Sequence, residues 1–344
     1  MQTITLKSIL DSTKSYQYVD NGEPMRGGMK DVYFSPDKSY VVAFYRTKLD
    51  YNAKERVQLI TTKYKDDLFN RDGGEFWRNL YSNSYDPVEK DGLPGILLPA
   101  YDKRFFFKQG YANSDILKGK EKNGKWFASA KFRATTSKTK LDHSELGNWL
   151  SYFQVCVNIS RGVKRLHSAG LAHSDLSYNN VLIDPTSGSG ANIIDIDGLV
   201  VPGKFAPDVI GTADFIAPEV LATKHLNKTD PNRKLPNRHT DLHALAVLIY
   251  MYLLYRHPLR GGNYFGQIDE VDEENFLMGS KALFIEHPTD SKNRNFKREY
   301  GDNLQKFHPW TDLAKTPYTI TGPYLKELFD QAFIKGLHNP IERP

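Results

Sequence analysis

LAHSDLSYNNVLIDPTSGSGANIIDIDGLV, residues 171–200, decides how the rest of the chain is read. Asp175 and Asn180 stand five residues apart behind a helical pattern, an apolar run follows at Val181–Ile183, and a second one, Ile193–Ile194, ends on Asp195. Two strands joined by a Pro-, Ser- and Gly-rich turn would carry Asp175, Asn180 and Asp195 to one edge. That trio has the chemistry of nucleotide-dependent phosphoryl transfer. One carboxylate orients an attacking hydroxyl and takes its proton, while a carboxylate and a carboxamide oxygen hold Mg²⁺ against the phosphates. Taken alone, an Asp and an Asn at this spacing describe an ordinary turn in which both side chains bond their own backbone. Further motifs in order are needed to separate the two readings.

Those motifs are present, and through them the chain resembles a protein kinase. HSDLSYNN is similar to the catalytic loop H-R-D-L-x-x-x-N, which puts Asp175 at the base position and Asn180 at the second-metal position. IIDID resembles the D-F-G segment and its strand, with Asp195 at the metal, Ile196 at the Phe and Asp197 at the Gly. Asp197 then either adds a second carboxylate to the metal or shapes the turn with Gly198. GTADFIAPE, Gly211 to Glu219, is similar to the end of the activation segment, and HTDLHALAVLIYMYLLYRHP to the helix that anchors the large lobe, with Asp241 as its buried cap. NPIERP resembles the closing motif whose Arg, here Arg343, pairs with Glu219. The resemblance implies an α+β, bilobal fold: a small antiparallel β lobe with one helix over 1–134 and a mainly α-helical lobe over 135–344. It also implies ATP and Mg²⁺ as cofactors.

The small lobe departs from the family pattern. GEPMRGGMK keeps Gly27 and Gly28 for a phosphate-covering turn, and DVYFS, PDKS and YVVAFYR read as a hairpin. The strand that carries the ATP lysine, V-A-I-K in the family, is VAFYR here and has no Lys. Counting from Val32 puts Arg46 at the lysine's distance, whereas aligning Ala43 puts Tyr45 there. Arg46 is the favoured phosphate cation, with Lys30 on the glycine turn as runner-up and Lys48 as a further candidate; Arg46 and Lys48 are also readable as solvated strand-end charges. NAKERVQLITTKYKDDLF has Val57, Ile60, Tyr64 and Leu68 at helical spacing and is the expected regulatory helix. Glu55 is its favoured salt-bridge partner, ahead of Asp66, Asp67 and the later Glu75.

Between 92 and 133 the sequence reads as strands GILLPAY, RFFF and WFASAKFRA around an exposed polar loop, KQGYANSDILKGKEKNGK. The last strand would end at a hinge, with backbone near Lys131 to Arg133 facing adenine. Trp149, Tyr152, Phe153, Cys156, Ile159, Val163 and Leu166 form one apolar helical stripe, which is core and not a cofactor box. Between Gly198 and Glu219 the only hydroxyl side chain is Thr212, and Ser174 stands where regulated kinases carry Arg, so phosphorylation of this segment is not expected to switch the protein. Ser177 replaces the Lys found in Ser/Thr kinases two residues after the catalytic Asp.

Composition is consistent with a bilobal enzyme. A chain of 344 residues can bury a large core and suggests about two domains or lobes. The 46 Lys plus Arg against 41 Asp plus Glu give +5, spread along the chain without the dense basic run that announces nucleic acid. A single cysteine, Cys156, forbids an internal disulfide and suits a reducing compartment. The N-terminus lacks a secretory pattern, and the most apolar run, Leu242–Tyr255, is too short to span a bilayer. A cytoplasmic protein without nucleic-acid or membrane partners is expected.

The I-D-x-D-G metal segment and the tail from HPLRGG to NPIERP are similar to bacterial kinases of tellurite-resistance-type stress clusters, encoded beside a PP2C-type phosphatase and a von Willebrand A-domain (VWA) protein, some with helix-hairpin-helix tails. This implies a VWA-domain protein as substrate and a PP2C-type phosphatase as antagonist. Stopping at Arg343-Pro344, within the closing motif, the chain reads as a shortened one. Three functions compete: a Ser/Thr protein kinase, a pseudokinase that binds nucleotide or partners without turnover, and a small-molecule kinase. The last is disfavoured by GTADFIAPE and Arg343.

Overall fold

The computed structural model describes residues 2–27, 29–69, 73–82, 84–111, 114–133, 140–186, 190–201, 211–227, 230–263, 269–294 and 310–344; of Asp197 only the backbone is described. Strands β1 (Gln2–Lys7) and β2 (Ser15–Asp20) form a hairpin. Strands β3 (Met25–Arg26), β4 (Lys30–Phe34), β5 (Tyr40–Tyr45), β6 (Asp86–Lys90) and β7 (Leu93–Pro99) form an antiparallel sheet in the order β3-β4-β5-β7-β6. Because side chains alternate across a strand, β5 sends Val42 and Phe44 to one face and Ala43 and Tyr45 to the other. The first pair packs with Tyr18 of the hairpin, Val88 and Leu97. The second packs with Ile96 and with Val57 of helix α1 (Tyr51–Thr61). Burying each such side chain contributes about 1.5–3 kcal/mol, and Phe44 and Tyr45 are both nearly sealed.

The expected single regulatory helix is broken in two. Helix α1 ends at Thr61, and helix α2 (Lys63–Phe69) follows after Thr62, which lies outside the helical region at φ −115°, ψ −91°. Both threonine hydroxyls turn back on the helix, Thr61 Oγ1 to the Val57 carbonyl at 2.9 Å and Thr62 Oγ1 to the Gln58 carbonyl at 2.7 Å. Such back-bonding by β-branched residues competes with helix continuation. Helix α2 and a third helix, α3 (Gly74–Leu80), then leave the small sheet for the large lobe. Leu68, Phe69, Leu80 and Tyr81 join the large core, and the Tyr81 hydroxyl donates to the Gly162 carbonyl at 2.6 Å.

The large lobe is built on helices α4 (His143–Leu146) and α5 (Trp149–Ser168), strands β8 (Val181–Asp184) and β9 (Gly190–Ile193), and helices α6 (Pro218–Ala222), α7 (Arg238–Leu254), α8 (Glu270–Leu277) and α9 (Pro323–Asp330). Both long helices start on capping boxes, Asn148 with Ser151 and Asn237 with Thr240. Tyr152, Cys156, Ile159, Val163 and Leu166 of α5 are buried as the apolar stripe requires, while Trp149 at its start is 41% exposed. Among the described residues no helix is long and apolar enough to cross a membrane.

The stretch from 103 to 133 differs from its expectation. RFFF and WFASAKFRA form 3-10 turns, Lys103–Phe105, Gly124–Trp126 and Ala130–Phe132, not strands. Phe107, Leu117, Phe127 and Ala128 pack into the large core, although residues up to 134 were expected in the small lobe. Lys131–Arg133 therefore has no hinge position. The Arg133 guanidinium lies 3.8 Å from the Tyr255 ring centroid, on the end of α7. The polar loop is not wholly exposed either, since Lys122 is 1% exposed between Glu145 at 2.9 Å and Asp184 at 3.0 Å. Buried charge is tolerated there because both carboxylates accept further hydrogen bonds, Glu145 from the Lys108 and Gln109 amides and Asp184 from Thr186.

Inside α7, His243 is 2% exposed and neither ring nitrogen has a hydrogen-bond partner among the described residues. Burial first, and then the charges of Arg343, His257 and His338, hold its pKa well below the usual histidine value of 6.5. Below pH 6.5 the unfolded chain binds a proton that the folded one refuses, so stability falls with falling pH by up to about 1.4 kcal/mol per unit from this group. Denaturant unfolding of the parent and of His243→Leu at pH 7.5 and 5.5 should show the parent losing about 1.4 kcal/mol more than the variant. Equal losses would remove His243 as the cause.

Candidate active site

The catalytic-loop segment is held from below by one carboxylate. Asp241, 1% exposed in the first turn of α7, accepts from the His173 amide at 2.7 Å and the Ser174 amide at 3.1 Å, and its Oδ2 lies 3.0 Å from His167 Nε2. His173 in turn places Nε2 3.0 Å from the Ile194 carbonyl, beside the metal segment. The Ile194 amide donates to the Asn180 carbonyl at 3.0 Å, extending the β8–β9 pairing so that the two motifs run side by side. Ser174 and Asp195 both have positive φ, 67° and 60°. Non-glycine residues in that region cost about 1–3 kcal/mol each, so the surrounding bonds impose these turns.

The three residues of the expected trio come together as two linked parts. Asn180 Nδ2 donates to the Asp175 carbonyl at 2.7 Å and to Asp175 Oδ2 at 2.9 Å, which leaves the Asn180 amide oxygen as a donor atom for a cation. Asp175 Oδ1 accepts from the Thr212 amide at 2.6 Å and from its hydroxyl at 2.8 Å. Thr212 Oγ1 also lies 3.2 Å from Ser177 Oγ. The sequence marks Thr212 only as the sole hydroxyl of its segment; its place in GTADFIAPE is the available signal, but the contact to Asp175 spans 37 residues and appears only on folding. Asp195 presents a carboxylate with side chain 49% exposed.

Around the missing strand lysine the structure rearranges the candidates. Lys30 and Tyr45 are direct cross-strand partners in the β4–β5 ladder, so the two side chains occupy neighbouring positions on the sheet. Lys30 Nζ lies 5.2 Å from the Tyr45 ring centroid and 3.3 Å from Asp195 Oδ1. Its side chain is 13% exposed. Arg46 goes elsewhere: its guanidinium donates to Asp31 Oδ1 at 2.9 Å, to the Gly27 carbonyl and to the Lys30 carbonyl at 3.2 Å. Arg46 thereby ties the Gly27 and Lys30 backbone to Asp31. Lys48 lies against Gly92 in the β6–β7 turn. Gly27 donates its amide to the Lys30 carbonyl at 2.9 Å; Gly28 and the Asp197 side chain lie outside the described residues. Glu55 is half-buried on α1, Asp66 and Asp67 sit on α2, and Glu75 on α3.

The oxygen donors of Asp195 and Asn180 fit a hard cation such as Mg²⁺, which favours one or two protein oxygens and takes its other ligands from water and phosphate. Among the described residues no cluster of three or more His, Cys, Asp or Glu side chains forms a fuller metal cage. Farther along, Glu219 and Arg343 make the expected pair, bidentate at 2.7 Å for both contacts, with the Arg343 side chain 1% exposed.

Comparison with known proteins gives the family and the fold. The family described as Protein kinase domain matches residues 131–310. Over 104 residues the chain is 33% identical to the death-associated protein kinase dapk-1 of Caenorhabditis elegans, covering 29% of this chain and 6% of that protein. Over 151 residues it is 26% identical to the serine/threonine-protein kinase PknD of Chlamydia pneumoniae, covering 37% and 14%. The chain thus spans a small part of the length of these relatives. A crystal structure of a rhoptry kinase from Toxoplasma gondii superposes with a TM-score of 0.50 at 16% identity, covering 89% of this chain and 86% of that one, a likeness of fold.

Proposed function

Since the chain belongs to the protein kinase family, we propose that it transfers the γ-phosphoryl group of ATP to a Ser or Thr hydroxyl of a protein. Asp175, held by Thr212 and Asn180, orients that hydroxyl and accepts its proton. A bond forms from the hydroxyl oxygen to the γ-phosphorus, the bond from that phosphorus to the β–γ bridging oxygen breaks, and ADP leaves with the electron pair. Asp195 and the Asn180 amide oxygen would hold Mg²⁺, which would neutralise phosphate charge when bound; Asp197 would add a second carboxylate by its position in the sequence. Gly27, with Gly28 by its position in the sequence, would cover the phosphates. The division into a small lobe near 1–134 and a large lobe near 135–344 is adjusted, with 103–133 counted as part of the large lobe because of its packing.

The observation that carries the reading is Lys30 Nζ at 3.3 Å from Asp195 Oδ1. Next to a metal-binding carboxylate, in the position cross-strand from Tyr45, a lysine reaches the α- and β-phosphates from β4 in place of β5. We therefore give Lys30 the phosphate role in place of Arg46. Lys30→Ala should lower phosphoryl transfer by about 10²–10³-fold, the usual loss for one charged contact to a developing oxyanion. Arg46→Ala should cost only a few-fold, and Tyr45→Lys added to Lys30→Ala should restore part of the activity. Equal and small losses from both alanine variants would remove Lys30 from the site. A parent protein that neither binds ATP with metal nor phosphorylates itself would replace the kinase reading with a partner-binding scaffold.

The resemblance of the I-D-x-D-G segment and the tail to kinases of tellurite-resistance-type clusters supports a bacterial stress-signalling setting. In that setting the substrate is a VWA-domain protein, the antagonist a PP2C-type phosphatase, and the location cytoplasmic.

A further inference from the structure

A groove of about 310 Å³ opens beside the catalytic loop, and the mechanism above makes no use of it. Its walls are the aromatic or apolar side chains of Trp126, Phe132, Tyr178, Met251 and Tyr255, with Lys125 on the rim. Two of its lining residues tie it to the reaction centre. Tyr178 follows Asp175 by three residues, which limits their separation to about 11 Å even in extended chain. Asp214 follows Thr212 by two residues and bonds the Tyr178 hydroxyl at 3.2 Å, while Thr212 holds Asp175. An extended peptide advances about 3.3 Å per residue, so a side chain two or three positions from a hydroxyl at Asp175 lies about 7–10 Å from it, a reach within that limit. The volume is at the lower limit for small-ligand pockets and suits one or two side chains better than a second nucleotide.

The charges around the groove have one sign to spare. Arg256 is engaged by Glu286 at 2.7 Å, and Arg260 by Asp214. Burial alone would raise the Asp214 pKa, but the charges of His257 and Arg260 outweigh it and keep the carboxyl ionised below its usual range. Asp214 is the only carboxylate lining the groove among the described residues, and it is occupied. Lys125 is exposed, lies 5.4 Å from the Trp126 ring centroid, and has no carboxylate within ion-pair distance among the described residues.

We propose that this groove selects the protein substrate: it takes a bulky apolar side chain two or three residues from the phosphoacceptor, in a peptide with an acidic residue next to that side chain. The proposal rests on the kinase reading above and names the substrate class for it. Lys125 attracts the acidic neighbour, and a basic residue there is disfavoured.

The test uses peptides with a central Ser in which each position from three before to three after is varied among Gly, Leu, Phe, Lys and Glu. Phosphorylation by the full chain is read with labelled ATP, and binding of the same fluorescein-labelled peptides is read separately by anisotropy without nucleotide. The parent should prefer Phe or Leu over Gly by about tenfold or more at one position two or three from the Ser, the scale of burying one apolar side chain. Trp126→Ala should erase that preference. Lys125→Glu, an exposed change, should keep the apolar preference and turn the acidic one into a basic one. A flat profile in the parent, or a profile unchanged in both variants, overturns the proposal. Groove-dependent binding without any phosphorylation supports the groove and defeats the kinase reading; phosphorylation indifferent to both variants does the reverse, and neither binding preference nor transfer defeats both.

Discussion

Asp175→Asn is expected to lower phosphoryl transfer by about 10²–10⁴-fold while leaving ATP affinity within a few-fold of the parent, the range for losing a general base. In the proposed mechanism the effect separates chemistry from binding because Asp175 bonds Thr212 and Asn180, whereas the groups proposed for the phosphate side, Lys30 and Asp195, pair with each other. The substitution also perturbs a tight local network. Asp175 Oδ1 accepts two hydrogen bonds from Thr212, and an amide in its place can offer only one oxygen to the donors that now share two carboxylate oxygens. Single-turnover phosphorylation with titration calorimetry of nucleotide binding checks both halves. Unchanged phosphorylation of every substrate would show that Asp175 is not the base, and a parallel collapse of ATP binding would show that the loop had lost its shape.

The second large effect is on stability. Arg343 donates to both Glu219 oxygens at 2.7 Å and also to the carbonyls of Gly336, His239 and Leu337, so its guanidinium joins the activation segment, the start of α7 and the end of the chain. Arg343→Ala strands the Glu219 carboxylate, and breaking one side of such a buried pair costs about 3–5 kcal/mol. The Glu219 side chain is 20% exposed, so water reaches it partly and the lower end of that range is expected. Glu219→Gln, which keeps one acceptor, should cost less. In a double-mutant cycle measured by denaturant unfolding, Glu219→Ala with Arg343→Ala should be less destabilising than the sum of the single changes. A melting temperature for Arg343→Ala equal to the parent's would contradict the pair's role.

The catalytic loop, the paired strands β8 and β9, the buried cap Asp241 and the Glu219–Arg343 pair were all legible because each is written in residues that are local or in an ordered motif. Helix α5 was legible for a related reason: a 3.6-residue apolar period demands one buried face whatever lies against it. The cation at Asp195, Lys30, was legible only as the runner-up to Arg46. Counting along β5 finds Arg46 and Tyr45, but a sheet makes neighbours across strands as close as those along them, and the ladder puts Lys30 beside Tyr45.

The same limit explains the region from 103 to 133. Aromatic and apolar residues such as those in RFFF and WFASAKFRA satisfy a strand pattern by composition, yet Phe107 and Phe127, which follow the 3-10 turns Lys103–Phe105 and Gly124–Trp126, stack on each other and pack in the large core. Lys122 looked like one more loop charge until Glu145 and Asp184, 23 and 62 residues away in sequence, closed around it. By itself the sequence determined the family, the β8–β9 pairing and the buried stripe of α5, since these follow from residue types and short spacings. Only the tertiary structure put Lys30 beside Asp195, Phe107 and Phe127 in the large core, and Thr212 against Asp175, because each is a contact between residues far apart in the chain whose partner no local pattern specifies.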